Sequence, residues 1–157
     1  ASAGGGLAAA VALRARDEGG PPLRLQLLNS PMLDDRTVVR ADHGGTGTFL
    51  WNPASNRYGW SAYLGTDPGG ADTPAHAAPG RATDLTGLPP AWIGVGRLDL
   101  FHAEDVDYAR RLTEAGVPCD LVDEPGMYHG ADQLAAKAPR MQAYRQSMVD
   151  ALAHALT

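Results

Sequence analysis

The segment 90–124 constrains the fold more than any other part of the chain. Ala91-Trp92-Ile93-Gly94-Val95-Gly96 is a short apolar run that reads as a strand. A helix is predicted over residues 103–115, with Val106, Ala109 and Leu112 on one face. Gly116 followed by Pro118 stops it, and the stretch Cys119-Asp120-Leu121-Val122-Asp123-Glu124 reads as another strand, ended by Pro125-Gly126. Ahead of this unit, alanine and leucine predict a helix over residues 4–17, stopped by Gly19-Gly20-Pro21-Pro22. A strand is predicted over 23–28, before the turn Asn29-Ser30-Pro31. After the unit, a last helix starts near Pro139, a favoured first helical residue. Met141, Tyr144, Met148, Leu152 and Ala155 give that helix a core-facing stripe. Strands alternating with helices in this way predict an α/β fold, a mostly parallel sheet flanked by helices.

The 157 residues fit one domain, 1–157. Residues 31–88 are its irregular part, with Trp51 and Trp60 but no strong period, and one short helix is expected near 58–64. A stretch this long inside a compact domain is read as an insertion or lid. Net charge −5 argues against a nucleic-acid partner, which needs a basic face. No apolar run approaches the roughly 18 residues of a membrane span. The only cysteine, Cys119, excludes an internal disulfide and starts a predicted strand, so it is expected to be an inert core residue. No signal-peptide pattern is visible, so a cytoplasmic location is expected. His43, His76, His102 and His154 lack metal-ligand spacing, so no metal site is expected.

In open α/β sheets, ligands gather beyond the carboxyl ends of the strands. Three groups fall there or at a helix start: Ser2 before the first helix, Asp99 after strand 91–96, and His129 after strand 119–124. A serine is a poor nucleophile until an imidazole takes its proton, and the imidazole needs a carboxylate to fix its tautomer. A serine at a helix N-terminus also sets backbone N–H groups near a developing oxyanion. Glu104 and Asp105 are weaker candidates for the acid, because they should lie on the helix. Taken alone, Ser2 reads as a helix N-cap, Asp99 as a solvated loop carboxylate or a cap for the helix after it, and His129 as a surface loop histidine.

These residues resemble a family. Ser2-Ala3-Gly4-Gly5-Gly6 is similar to the second half of the G-x-S-x-G nucleophile elbow of α/β-hydrolases. Together with Leu7-Ala8-Ala9 it resembles the bacterial carboxylesterases related to hormone-sensitive lipase. Gly96-Arg97-Leu98-Asp99-Leu100-Phe101 resembles the family's acid segment, and Pro125-Gly126-Met127-Tyr128-His129-Gly130 its histidine loop. About 97 and 30 residues separate the three groups, in the family's chain order. The resemblance implies carboxylic ester hydrolysis through an acyl-enzyme, with catalytic Ser2, Asp99 and His129, Ala3 N–H as an oxyanion donor, small esters as substrates and no cofactor. Trp51, Trp60 and Tyr63 are candidates for the substrate pocket. A peptidase or an acyltransferase on the same fold is the alternative.

The family also has an N-terminal half, with several strands, part of the lid and a His-Gly-Gly-Gly oxyanion loop before the elbow. One residue precedes Ser2 here, so only the family's C-terminal strands are expected. The chain is then expected to be incompetent alone, its sheet edge at 23–28 covered by the other half as a separate chain or by an oligomer partner. His43-Gly44-Gly45 superficially resembles the oxyanion loop but lies after the nucleophile, and is read as a turn.

Overall fold

A computed structural model describes residues 1–157. The elements follow one another as α1 (Ser2–Asp17), β1 (Gln26–Asn29), α2 (Pro53–Leu64), β2 (Ala91–Gly96), α3 (His102–Glu114), β3 (Cys119–Glu124), α4 (Ala131–Leu134) and α5 (Pro139–Leu156), with 3-10 turns at Asp35–Val39 and Pro79–Arg81. The three strands form a parallel sheet in the order β1-β2-β3. No helix is long and apolar enough to cross a membrane.

Successive residues of a strand point to opposite faces. Ala91 and Ile93 of β2 and Leu28 of β1 pack with Ala9, Leu13, Tyr108 and Leu112, so α1 and α3 cover one face. Trp92, Leu27 and Val122 meet Met141 and Tyr144 of α5 on the other. The Trp92 and Tyr144 rings meet edge to face at 5.5 Å. Tyr144 Oη then donates to Asn29 Oδ1 (2.8 Å), and Asn29 Nδ2 to Asp132 Oδ2 (3.0 Å), which ties α5 and α4 to the carboxyl end of β1.

Several boundaries depart from the sequence expectation. The first strand covers Gln26–Asn29 rather than 23–28, and Leu23 lies exposed outside the ladder. The first registered pair is Gln26 with Ala91, and the residues before Ala91 are Pro89 and Pro90, which have no N–H to extend the ladder. The helix expected near 58–64 starts at Pro53, because Asn52 Oδ1 accepts from Ser55 N–H (2.9 Å) and Pro53 sits at its first position. On α5 the packed face runs through Met141, Tyr144, Met148 and Ala151, while Leu152 is exposed.

Two glycines permit the close approaches that bring the loops together. A Cβ on Gly6 would collide with the Met32 carbonyl, so α1 can lie directly on the segment after β1. One on Gly96 would collide with the Met127 carbonyl, so the loop after β3 can cross the end of β2. Leu98 N–H donates to that same Met127 carbonyl (3.0 Å).

Glu104 and Asp105, on α3, are buried carboxyls. Glu104 Oε1 accepts from the N–H groups of Leu33 (2.7 Å) and Asp34 (3.1 Å), and Oε2 meets Thr37 Oγ1, so this side chain anchors the start of the 31–88 region. Burial pushes the Glu104 carboxyl up to about 8, against the opposing pull of those donors. Asp105 has no hydrogen-bond partner for either oxygen. Burial, with Glu104 and Asp99 nearby, raises its carboxyl well above the ordinary range. Asp35 differs. Burial would raise it too, but Arg81 (2.5 Å), Gly69 N–H (2.6 Å) and Thr73 (3.0 Å) outweigh that and hold it below the usual carboxylate range.

Two outcomes follow for stability. Gly96→Ala should destabilise the protein by roughly 1–3 kcal/mol, seen as a lower midpoint of thermal unfolding, because the added methyl must displace the Met127 backbone. The Glu104 carboxyl keeps its proton in the folded protein at pH values where the unfolded chain, near 4.5, has released it. Its contribution is therefore complete below about pH 4.5 and is lost as pH rises to about 8. The melting temperature should fall across that window, with a slope of up to about 1.4 kcal/mol per pH unit from this group. Glu104→Gln should flatten the fall, and adding Asp105→Asn should flatten it further.

Candidate active site

Ser2 occupies the first position of α1 with φ +50°, a left-handed backbone that a residue with a Cβ rarely adopts. Its carbonyl accepts from Met32 N–H (3.0 Å), and Ala1 O accepts from Gly5 N–H (3.0 Å), which closes the first helical turn. A sharp entry of this kind lifts a side chain clear of the helix that follows it. The N–H of Ala3 lies in that first turn, where backbone donors have no intrahelical acceptor.

Asp99 stands just beyond β2, fully buried. Its N–H donates to Gly96 O (3.0 Å), and its Oδ1 accepts from Phe101 N–H (3.0 Å). Its Oδ2 lies 2.8 Å from His129 Nδ1. His129 Nε2 in turn lies 3.1 Å from Ser2 Oγ. With Nδ1–H donating to the carboxyl, Nε2 is left to accept from the serine hydroxyl. Residues 127 positions apart in sequence thus form one continuous relay. It joins a strained serine to an imidazole whose side chain is 12% exposed and a carboxyl with no exposure. Such a relay can move a proton from the hydroxyl to the imidazole while the carboxyl holds the ring.

Aromatic side chains fix the imidazole from two sides. Phe101 meets it edge-on at 5.3 Å between ring centroids, and Trp51 lies tilted at 6.0 Å. Trp51 Nε1 donates to Asn56 Oδ1 (3.4 Å), which ties it to α2. Beside Ala3 opens a cavity of about 110 Å³, walled mainly by apolar groups that include Leu7, Met32, Trp51, Trp60 and Tyr63. All three aromatic residues singled out in the sequence line this cavity, whose wall includes Ala3 but neither Ser2 nor His129.

Other candidates fall elsewhere. Glu104 and Asp105 lie on α3, with Glu104 committed to the 33–37 segment, and neither bonds to His129. His43-Gly44-Gly45 forms a tight turn, closed by Thr46 N–H on His43 O (3.1 Å). Cys119 is half-buried, and burial pushes its thiol up to about 11. Phe101, Met32 and Asn56 were not read from the sequence as site residues, and Glu104 was read as a weaker candidate for the acid rather than as the anchor of the 33–37 segment. The pair Asn52-Pro53 was the available sign of a longer α2, which would have put Asn56 on the same helical face as Trp60.

Comparison with known proteins agrees with this architecture. A family model described as the alpha/beta hydrolase fold matches residues 1–133. The carboxylesterase NlhH of Mycobacterium tuberculosis is 38% identical over 145 residues, which cover 88% of this chain and 44% of that protein. A bacterial heroin esterase superposes with a TM-score of 0.88 at 38% identity, over 99% of this chain and 50% of that one. Esterase LipW from Mycobacterium marinum superposes with a TM-score of 0.88 at 36% identity, over 99% of this chain and 48% of its own. The chain spans about half the length of these relatives. With the family model matched over most of its residues and the same fold in both superposed esterases, the chain belongs to the α/β-hydrolase fold family.

Proposed function

We propose that this chain carries the triad of a serine carboxylesterase, with Ser2 as nucleophile, His129 as general base and Asp99 as the acid that orients it. The relay from Ser2 Oγ through His129 to Asp99, at 3.1 and 2.8 Å, is the observation that carries the reading. His129 takes the Ser2 proton as Oγ attacks the ester carbonyl. Asp99 stabilises the imidazolium. The imidazolium then protonates the departing alcohol, and water, activated by the same imidazole, releases the acid. Ala3 N–H donates to the oxyanion. The cavity lined by Trp51, Trp60 and Tyr63 at Ala3 supports these residues as part of the substrate pocket. The relatives named as esterases favour esters over the peptide bonds of a peptidase or the acyl acceptors of an acyltransferase.

A second observation bears on what performs the reaction. One edge of β1 is unpaired, and Leu7 (49%) and Val11 (58%) of α1 are exposed. Bare strand edges beside apolar surface pair with other strands. We propose that residues 1–157 are the C-terminal part of one catalytic domain, and that further strands, in the same or a separate polypeptide, cover this edge. The additional oxyanion donors would come from the same source.

Ser2→Ala should abolish nearly all hydrolysis of short chromogenic esters by the intact protein, a loss on the order of 10⁶ in turnover. Unchanged turnover would remove Ser2 from the mechanism. Ser2→Gly should be equally inactive yet at least as stable as Ser2→Ala in thermal unfolding, because glycine adopts the left-handed backbone without strain.

A further inference from the structure

A buried polar network stands at the exit of β1, outside the triad. Asn29 is the last residue of β1, and its side chain lies between two partners from elsewhere in the chain. Its Oδ1 accepts from Tyr144 Oη of α5 (2.8 Å), and its Nδ2 donates to Asp132 Oδ2 of α4 (3.0 Å). Tyr144 and Asp132 are buried as well. A phenol donates on one side and a carboxyl accepts on the other, so one orientation of the amide satisfies both. Gly94 makes room for this arrangement, because a Cβ there would collide with Tyr144 Oη.

The network links the two reacting groups of the triad. On one side, the chain leaving Asn29 runs three residues to Met32, whose N–H donates to Ser2 O (3.0 Å). On the other side, Asp132 follows His129 by three residues, in the helical turn that begins directly after Gly130. The Asn29–Asp132 bond is the only hydrogen bond between residues 26–34 and residues 125–135. The histidine loop is thus held at two points, with His129 between them: Met127 O by Leu98 N–H (3.0 Å), and Asp132 by Asn29. Asp99 orients the imidazole through Nδ1, but the 3.1 Å approach of Nε2 to Ser2 Oγ also requires the loop backbone to stand at the right distance from the start of α1. A displacement of about 1 Å at that contact is enough to slow the chemistry severely.

We infer that Asn29 and Asp132 are positioning residues for the triad: their amide–carboxyl bond, oriented by Tyr144, sets the distance between Ser2 and His129. This rests on the esterase reading above. Neither side chain bonds to a triad residue, so the effect falls on turnover rather than on substrate affinity.

The test uses the intact protein and 4-nitrophenyl acetate, well below the melting temperature of each variant. Asn29→Asp keeps the size of the side chain and an acceptor for Tyr144, but sets a second carboxyl against Asp132. It should lower kcat and kcat/KM together by about 10- to 100-fold, with KM within about 2-fold of the wild type. Asn29→Asp combined with Asp132→Asn reverses the pair and restores a donor–acceptor match at both ends. It should return kcat to within about 3-fold of the wild type. Asn29→Ala removes the bond without adding a charge, should lose kcat in the same way, and decides the matter where either of the other variants does not fold. A purely structural role would lower the melting temperature and leave the kcat of the folded variants unchanged. That result, or a folded reversed pair with kcat as low as Asn29→Asp alone, overturns the inference and leaves the triad standing. Wild-type hydrolysis that is absent, or that survives Ser2→Ala, overturns the triad reading itself and the inference with it.

Discussion

The Asp99 carboxyl divides its two oxygens between two tasks, and the geometry of the site depends on that division. Oδ1 accepts the Phe101 N–H and so fixes the turn between β2 and α3. Oδ2 accepts from the imidazole and so fixes the loop after β3. Because Asp99 is fully buried, water does not compete for either bond. Phe101, held by the first bond, packs edge-on against the ring oriented by the second. One side chain therefore sets the position, the tautomer and the packing of His129.

The sheet supplies what this interaction needs. Parallel strands put their carboxyl ends together, so the ends of β2 and β3 deliver Asp99 and His129 to one place. The start of α1, which packs on β1, brings Ser2 to the same place. Gly6 and Gly96 remove the side chains that would hold these segments apart. Glu104 works from the opposite direction. It grips Leu33, Asp34 and Thr37 and so anchors the start of the long irregular region that carries Trp51 and Trp60 back over the site. The Asp35–Arg81 pair ties the far end of that region to its beginning.

Much of this was legible in the sequence because it is local. The apolar run of β2, the one-faced helix α3, the stop at Gly116 and Pro118, and Pro139 at the head of α5 are each set by neighbours in the chain. The α/β-hydrolase resemblance also rested on short motifs, and it selected the three residues that the fold brings into one relay. What escaped depends on distant partners. The start of β1 is decided by Pro89 and Pro90, which precede the neighbouring strand and lie more than sixty positions away. Glu104 reads as a helical acid and a weaker triad candidate until its acceptor role toward the backbone of Leu33 and Asp34 is seen. Leu152 continues the α5 stripe in sequence, but the buried face follows Ala151 instead.

The central claim is that Ser2 is activated by His129 at a strained helix entry. It is tested most directly by treating the intact protein with diisopropyl fluorophosphate at neutral pH and mapping the adduct by mass spectrometry. The account predicts one diisopropylphosphoryl group per chain, on the peptide that contains Ser2, with labelling lost in His129→Gln. An adduct on another residue, or labelling of Ser2 that proceeds as fast without the imidazole, would contradict it.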